Sequence, residues 1–359
     1  MLIDSPRGAG LGGMAAMPSS QIHHDARVHD TALVMLTRPR SGSSWSSSLL
    51  CEELPGVLPL FEFFNVGFPL AHLNIYSPHL NQLVKKELSV QLVAPRLTNA
   101  TMRHRIEEGS LAALREVSRT QNKLGKVIEQ DPMGALQAAA NISSSLGRHG
   151  NIFLKIMEAP AGRPLLSMLS SSTRVTFLHM RRNVFQAYVS NMKVAACHGN
   201  FQNSDVTACR PTLDLYHLGS FLKQWIIQQD QYLEAMGRTA GDPPIFARPR
   251  DAHHPAGAVS IAYEDLKGAT SQAETVDMLV ASLSRAGYPV RDFRGPNGRQ
   301  NSSSSSTPYA VQDRSSSLQE KISNYDELQE FYRNNFTRDF CPLIQNAMCG
   351  TDPMYVLPP

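Results

Sequence analysis

Leu33-Val34-Met35-Leu36-Thr37-Arg38-Pro39-Arg40-Ser41-Gly42-Ser43-Ser44-Trp45 is the stretch on which the fold of this chain turns. An apolar run with strand character ends at Thr37. A turn containing Pro39 and Gly42 follows, rich in small hydroxyl side chains. Trp45 to Glu53 then carries a helical pattern. A strand, a tight turn of small residues and a helix N-terminus form a phosphate cradle. Unpaired backbone N–H groups point at the anion, and the helix dipole adds positive potential. Arg40 sets a permanent cation beside that cradle. The stretch is not a nucleoside-triphosphate loop of the G-x-x-x-x-G-K-[ST] type, because the first glycine is missing and Ser43 stands where the lysine belongs.

A second unit of the same kind lies further on. Arg174 to Met180 reads as a β-branched, apolar strand. Arg181 and Arg182 end it, Asn183 is a good N-cap, and Val184 to Val194 reads as a helix with Val184, Ala187, Tyr188 and Met192 near one face. An arginine pair thus stands at the turn, and Ser190 lies eight residues beyond Arg182. A guanidinium fork can hold phosphate oxygens at two points, and a hydroxyl adds one more donor. Strands alternating with helices predict an α/β fold with a parallel sheet.

Pro39-Arg40-Ser41-Gly42-Ser43-Ser44-Trp45 resembles the 5′-phosphosulfate loop of sulfotransferases, roughly P-[KR]-S-G-[ST]-[ST]-[WFL]. Arg182 and Ser190 match the arginine and serine that hold the donor's 3′-phosphate in that family. Gly298-Arg299-Gln300-Asn301 and Ile322-Ser323-Asn324-Tyr325-Asp326-Glu327-Leu328 resemble its C-terminal segments, which makes Arg299 a second candidate for the 3′-phosphate. Tyr263-Glu264-Asp265-Leu266 after a strand is a looser match with a structural role. The motif style is nearest to carbohydrate sulfotransferases and the bacterial trehalose sulfotransferase. The resemblance implies a P-loop-like three-layer sandwich, a central parallel sheet flanked by helices. It also implies an enzyme that moves a sulfuryl group from 3′-phosphoadenosine 5′-phosphosulfate to a hydroxyl of a sugar or other small metabolite. The donor would lie on Arg40, Ser41, Gly42, Ser43, Ser44, Trp45, Arg182, Ser190 and Arg299, with no metal needed, since Arg40 supplies fixed positive charge. A P-loop kinase-like phosphotransferase and a non-catalytic nucleotide- or partner-binding member of the fold are the competing readings.

Cytosolic members of the family use a histidine two residues after a strand-end lysine as the base. Here Lys155 fills the lysine place but Met157 stands where the histidine would be. The trehalose enzyme instead uses a glutamate after the first helix, and Glu62 in Leu60-Phe61-Glu62-Phe63-Phe64 holds that place. Aromatic burial is expected to raise its pKa, which suits a general base. Glu158 is the reserve candidate. Lys155 is a candidate to assist the leaving group, and His179 reads as a packed strand residue.

The length suits one large α/β domain or two smaller ones. The chain has 359 residues, 42 % hydrophobic, with a net charge of +3. That charge is too small to argue for nucleic acid, and no basic tract is interleaved with aromatics. No run of about 18 apolar residues suggests a membrane span. Residues 1–30 read as a disordered leader, 31–340 as the sulfotransferase domain and 341–359 as a C-terminal tail. The absence of a signal or anchor pattern makes a cytoplasmic protein the expectation. Cys197 with Cys209, and Cys341 with Cys349, are each close enough for a local disulfide, or remain thiols in a reducing compartment. Asp131 and Pro132 should open a helix, and Asn324 with Glu327 should form a capping box.

Overall fold

In the computed structural model the chain is described at residues 32–38, 43–54, 56–65, 69–110, 112–113, 116, 123–148, 150–157, 162–170, 175–196, 209–237, 257–269, 271–288, 317–344 and 349–358. The expected leader, 1–30, lies outside them. Strand β1 (Ala32–Leu36) is followed by helix α1 (Ser43–Glu53), strand β2 (Leu58–Phe61), and helices α2 (Ala71–Tyr76), α3 (Pro78–Leu88), α4 (Ala100–Glu107), α5 (Lys123–Gln130) and α6 (Pro132–Ser145). Strand β3 (Ile152–Ile156), α7 (Gly162–Ser170), strand β4 (Val175–Arg181), α8 (Val184–Ala196) and α9 (Leu215–Ala235) come next. Strand β5 (Gly257–Ala262), α10 (Tyr263–Gly268), α11 (Gln272–Arg285), α12 (Leu318–Lys321) and α13 (Tyr325–Phe331) complete the order.

The five strands form one parallel sheet in the order β2-β3-β1-β4-β5. Strands β1 and β3 are apolar throughout apart from Lys155, and nearly every residue is buried, as expected of a sheet covered on both faces. The chain leaves β1 toward the β2 edge, whereas β3 and β4 both lead the other way. Right-handed crossovers therefore send α1 to one face and the helices after β2, β3 and β4 to the other. The packing agrees: α1 meets α11, while α9 meets α7 and α6 meets β3. The architecture is a three-layer α/β sandwich, with helices on both faces of a central parallel sheet. Such a sheet has its crevice outside the carboxyl ends of the strands where the connections part. Leu36 is level with Ile156 on β3 and His179 on β4, so the crevice is lined by residues just past these positions.

Several local expectations hold. Asp131 caps α6, its carboxylate accepting from Gly134 N at 2.9 Å, with Pro132 in the first turn. Asn183 caps α8, accepting from Phe185 N and Gln186 N, each at 3.1 Å. Helix α1 starts at Ser43, two residues before the expected Trp45. It presses Ser46, Ser47 and Ser48 into the interior, side chains small enough to let the helix lie close to its neighbours.

One expectation fails. Asn324 makes no side-chain cap on α13. Its amide oxygen instead accepts from Leu213 N at 2.8 Å, and its Nδ2 donates to Glu327 at 2.9 Å. The stretch from His79 to about Ile128 reads as mostly helical by pattern, and it is helical over Pro78–Leu88, Ala100–Glu107 and from Lys123, with a tighter turn at Ala94–Arg96 where Pro95 falls. A Cys341–Cys349 disulfide is present, and Cys209 is also disulfide-bonded; Cys197 lies outside the described residues.

A first core cluster surrounds the sheet. A second joins α8, α9, the C-terminal helices and the tail residues Met354 and Tyr355.

Candidate functional site

The cluster at the carboxyl ends of β2 and β3 is built around one buried cation. Lys155 is the fourth residue of a strand buried on both faces, and its side chain is fully enclosed. Its Nζ lies 2.9 Å from Glu62 Oε1, 3.1 Å from His72 Nδ1 and 3.3 Å from Ser44 Oγ. An ammonium has three N–H donors, and these three acceptors match them. His72 Nδ1 thus faces both the Lys155 ammonium and, at 3.6 Å, Glu62 Oε1. Glu62 follows directly on Phe61, whose φ of 49° is in the left-handed region and turns the chain at the end of β2. Phe61 also stacks on His72, with ring centroids 4.5 Å apart, which fixes the imidazole plane.

The electrostatics of Glu62 differ from the sequence expectation. Burial pushes its carboxyl up, but the His72 ring and the Lys155 ammonium outweigh burial and hold it at about 2. The cation against it comes from β3, distant in the chain, and is brought there only by the fold. Burial lowers His72, and the Lys155 charge lowers it further against the pull of Glu62. Burial also lowers Lys155, with Glu62 acting in the opposite direction.

The second cluster spans β1, β4 and β5. Arg182 follows β4 and lies over the Tyr263 ring, its guanidinium carbon 4.7 Å from the centroid. Trp45, in the first turn of α1, meets the same ring edge-on with centroids 6.5 Å apart. Tyr263 thus stands between the helix of the first cradle and the arginine of the second. Glu264 accepts from Asn183 N at 3.1 Å, which ties the start of α10 to the turn holding Arg182. Arg181 forms an ion pair with Asp352 near the C-terminus.

Of the sequence candidates, Glu62, Lys155 and Ser44 come together directly, while Trp45 and Arg182 meet through Tyr263. Ser43 is buried at the start of α1, and Ser190 is half-buried on α8. Arg40, Ser41, Gly42, Arg299 and the reserve Glu158 lie outside the described residues. His179 is packed as expected, 3.1 Å from Ser260 Oγ.

Sequence reading missed four contributors. His72 is a lone histidine in an unremarkable apolar segment. Tyr263 was read only as structural. Arg38 is buried against α9, donating to Gln228 and lying 5.0 Å over the Trp225 ring. Tyr232 places its hydroxyl 2.9 Å from the Thr37 carbonyl and 2.8 Å from that of Met157, bracing the ends of β1 and β3. Among the described residues, no group of three or more His, Cys, Asp or Glu is arranged to hold a metal ion, and no helix is long and apolar enough to cross a membrane.

No protein-family model matches the chain, and no curated protein matches it. Among solved structures, the chain is similar to the sulfotransferase domain from the Synechococcus PCC 7002 olefin synthase. The identity is 15 %, covering 72 % of this chain and 74 % of that one, with a TM-score of 0.32. A likeness that loose carries no argument about function, which rests on the residues themselves.

Proposed function

We propose that the chain is a sulfotransferase that takes its sulfuryl group from 3′-phosphoadenosine 5′-phosphosulfate and gives it to a hydroxyl of a sugar or other small metabolite. The observation that carries this reading is the position of Lys155. It joins the candidate base Glu62, at 2.9 Å, to Ser44 of the phosphate-type loop, at 3.3 Å. A base and an anion cradle linked through one buried cation suit transfer of a charged group to a hydroxyl.

The loop from Arg40 to Trp45 would hold the 5′-phosphosulfate, and Arg182, Ser190 and Arg299 the 3′-phosphate. The acceptor oxygen forms a bond to sulfur as the bond from sulfur to the bridging phosphate oxygen breaks. Arg40 and Lys155 offset the negative charge that builds on the leaving phosphate. Arg40 keeps its proton and acts as a fixed charge. Glu62 takes the proton from the acceptor hydroxyl. In its ion pair Glu62 is a weak base. An anion beside Ser44 competes for the Lys155 ammonium, and Glu62 gains proton affinity as that charge is drawn away. His72 Nδ1 is 3.6 Å from Glu62 Oε1 and remains beside the carboxylate when Lys155 turns.

The test is Glu62→Gln, which keeps shape but cannot accept the proton. Transfer of labelled sulfuryl from the donor to a panel of hydroxyl compounds should fall about 10²–10⁴-fold in kcat, with donor affinity retained. Near-normal turnover in the variant would remove Glu62 as the base. No transfer by the wild-type protein to any sugar, phenol or alcohol would count against the reaction itself.

A further inference from the structure

The turn that carries Arg182 is held from both sides by the end of the chain. Before it, Arg181 is ion-paired with Asp352, whose side chain is 6 % exposed. After it, Asn183 Nδ2 donates to the carbonyls of Pro353 at 2.8 Å and Val356 at 2.7 Å, and Val184 N donates to the Met354 carbonyl at 2.9 Å. Asp352 braces its own turn by accepting from Met354 N at 2.9 Å. The tail is anchored in turn. Met354 and Tyr355 are buried in the second core cluster, and Tyr325 donates its hydroxyl to the Pro358 carbonyl at 3.1 Å. Upstream, Cys349 is bonded to Cys341.

We infer that the C-terminal segment Thr351–Pro358 is a positioning strap for Arg182 and sets the protein's selectivity for nucleotides phosphorylated on the 3′-hydroxyl. This rests on the reading of Arg182 as the 3′-phosphate ligand. The turn offers two adjacent guanidinium groups, and Asp352 neutralises Arg181. The tail carbonyls fix Asn183, and the Tyr263 ring lies beneath Arg182, so the Arg182 guanidinium is held in a defined direction. A guanidinium that must find its direction on binding loses conformational entropy that a fixed one does not. Asp352, Asn183 and Arg181 act through Arg182 and do not themselves meet the ligand.

Two variants of the full chain test this without adding a free cation. Asn183→Ser keeps an N-cap hydroxyl for α8 but loses both amide donors to the tail. Arg181→Gln combined with Asp352→Asn removes the ion pair and leaves two neutral side chains of similar size. Affinities are measured for adenosine 3′,5′-bisphosphate and adenosine 5′-monophosphate, with melting temperature followed alongside. In each variant the bisphosphate should bind about tenfold more weakly, the effect of one weakened charged hydrogen bond, while the monophosphate stays within about twofold. Equal loss for both ligands, or an unchanged preference for the bisphosphate, overturns the strap. A wild-type protein that binds both nucleotides equally overturns the reading of Arg182 as well, so the two failures are told apart.

Discussion

Lys155 and Glu62 form the buried ion pair at the centre of the candidate site. The carboxyl of Glu62 is held at about 2, against an ordinary 4.5. Between those two values the unfolded chain binds a proton that the folded chain does not. The stabilisation is therefore present above about pH 4.5 and is lost as pH falls toward about 2. Unfolding in denaturant, followed across that window, should show a steeper acid loss for the wild type than for Glu62→Gln; parallel curves would mean that Glu62 is not held by Lys155 in solution. Arg182→Ala should weaken binding of adenosine 3′,5′-bisphosphate by about 2–3 kcal/mol, the range for a lost charged hydrogen bond. It should scarcely alter binding of adenosine 5′-phosphosulfate, which lacks the 3′-phosphate. Equal losses for both would take Arg182 out of the site. Glu62, Lys155, Ser44, Trp45 and Arg182 could be picked out from the sequence because each sits at a fixed offset from a strand end or a turn. His72 could not, because its partners Lys155 and Glu62 are brought to it only by the fold, and nothing in Ala71-His72-Leu73 marks a polar neighbour. The direction of the Glu62 shift was misjudged for the same reason. The aromatic neighbours are adjacent in sequence, whereas Lys155 is 93 positions away.

The strand ends owe their alignment to helix α9. Gln228 donates to the Met157 carbonyl at 2.7 Å and to the Tyr232 hydroxyl at 2.6 Å, while that hydroxyl faces the carbonyls of Thr37 and Met157. Carbonyls beyond the last ladder bonds of β1 and β3 are thereby satisfied, just where the first cradle begins. Tyr232→Phe should lower stability by about 1–3 kcal/mol, the cost of leaving a buried acceptor unpaired, measured by chemical denaturation. An unchanged midpoint would show that the hydroxyl is replaceable there. Strands β1, β3 and β4 were legible as apolar runs. Strand β2 was not read as a strand, because Pro55-Gly56 before it and Pro59 within it look like turn residues. Its place at the sheet edge, with an irregular register between Pro59 and Phe61, explains how a proline is accepted. The capping box expected at Asn324 failed because Leu213, distant in sequence, takes the amide oxygen.

The topology of the whole sheet gathers these parts. With β1 between β3 and β4, its carboxyl end lies between the lysine of β3 and the arginine turn of β4, and α10 brings Tyr263 to join the two sides. Alternation of strands and helices foretold a parallel sheet, but strand order was not written in the pattern. It follows from which neighbours each buried strand can cover. A kinase-like phosphotransferase would prefer a magnesium-bound triphosphate, whereas the proposed sulfuryl transfer needs a metal-free nucleotide carrying a 3′-phosphate. Calorimetric titration of the full chain with adenosine 3′,5′-bisphosphate in EDTA, and in parallel with ATP and magnesium, separates them most directly. The proposed function predicts saturable binding of the bisphosphate in EDTA, tighter than that of ATP with magnesium. Tighter binding of ATP with magnesium, or bisphosphate binding that vanishes in EDTA, would contradict it.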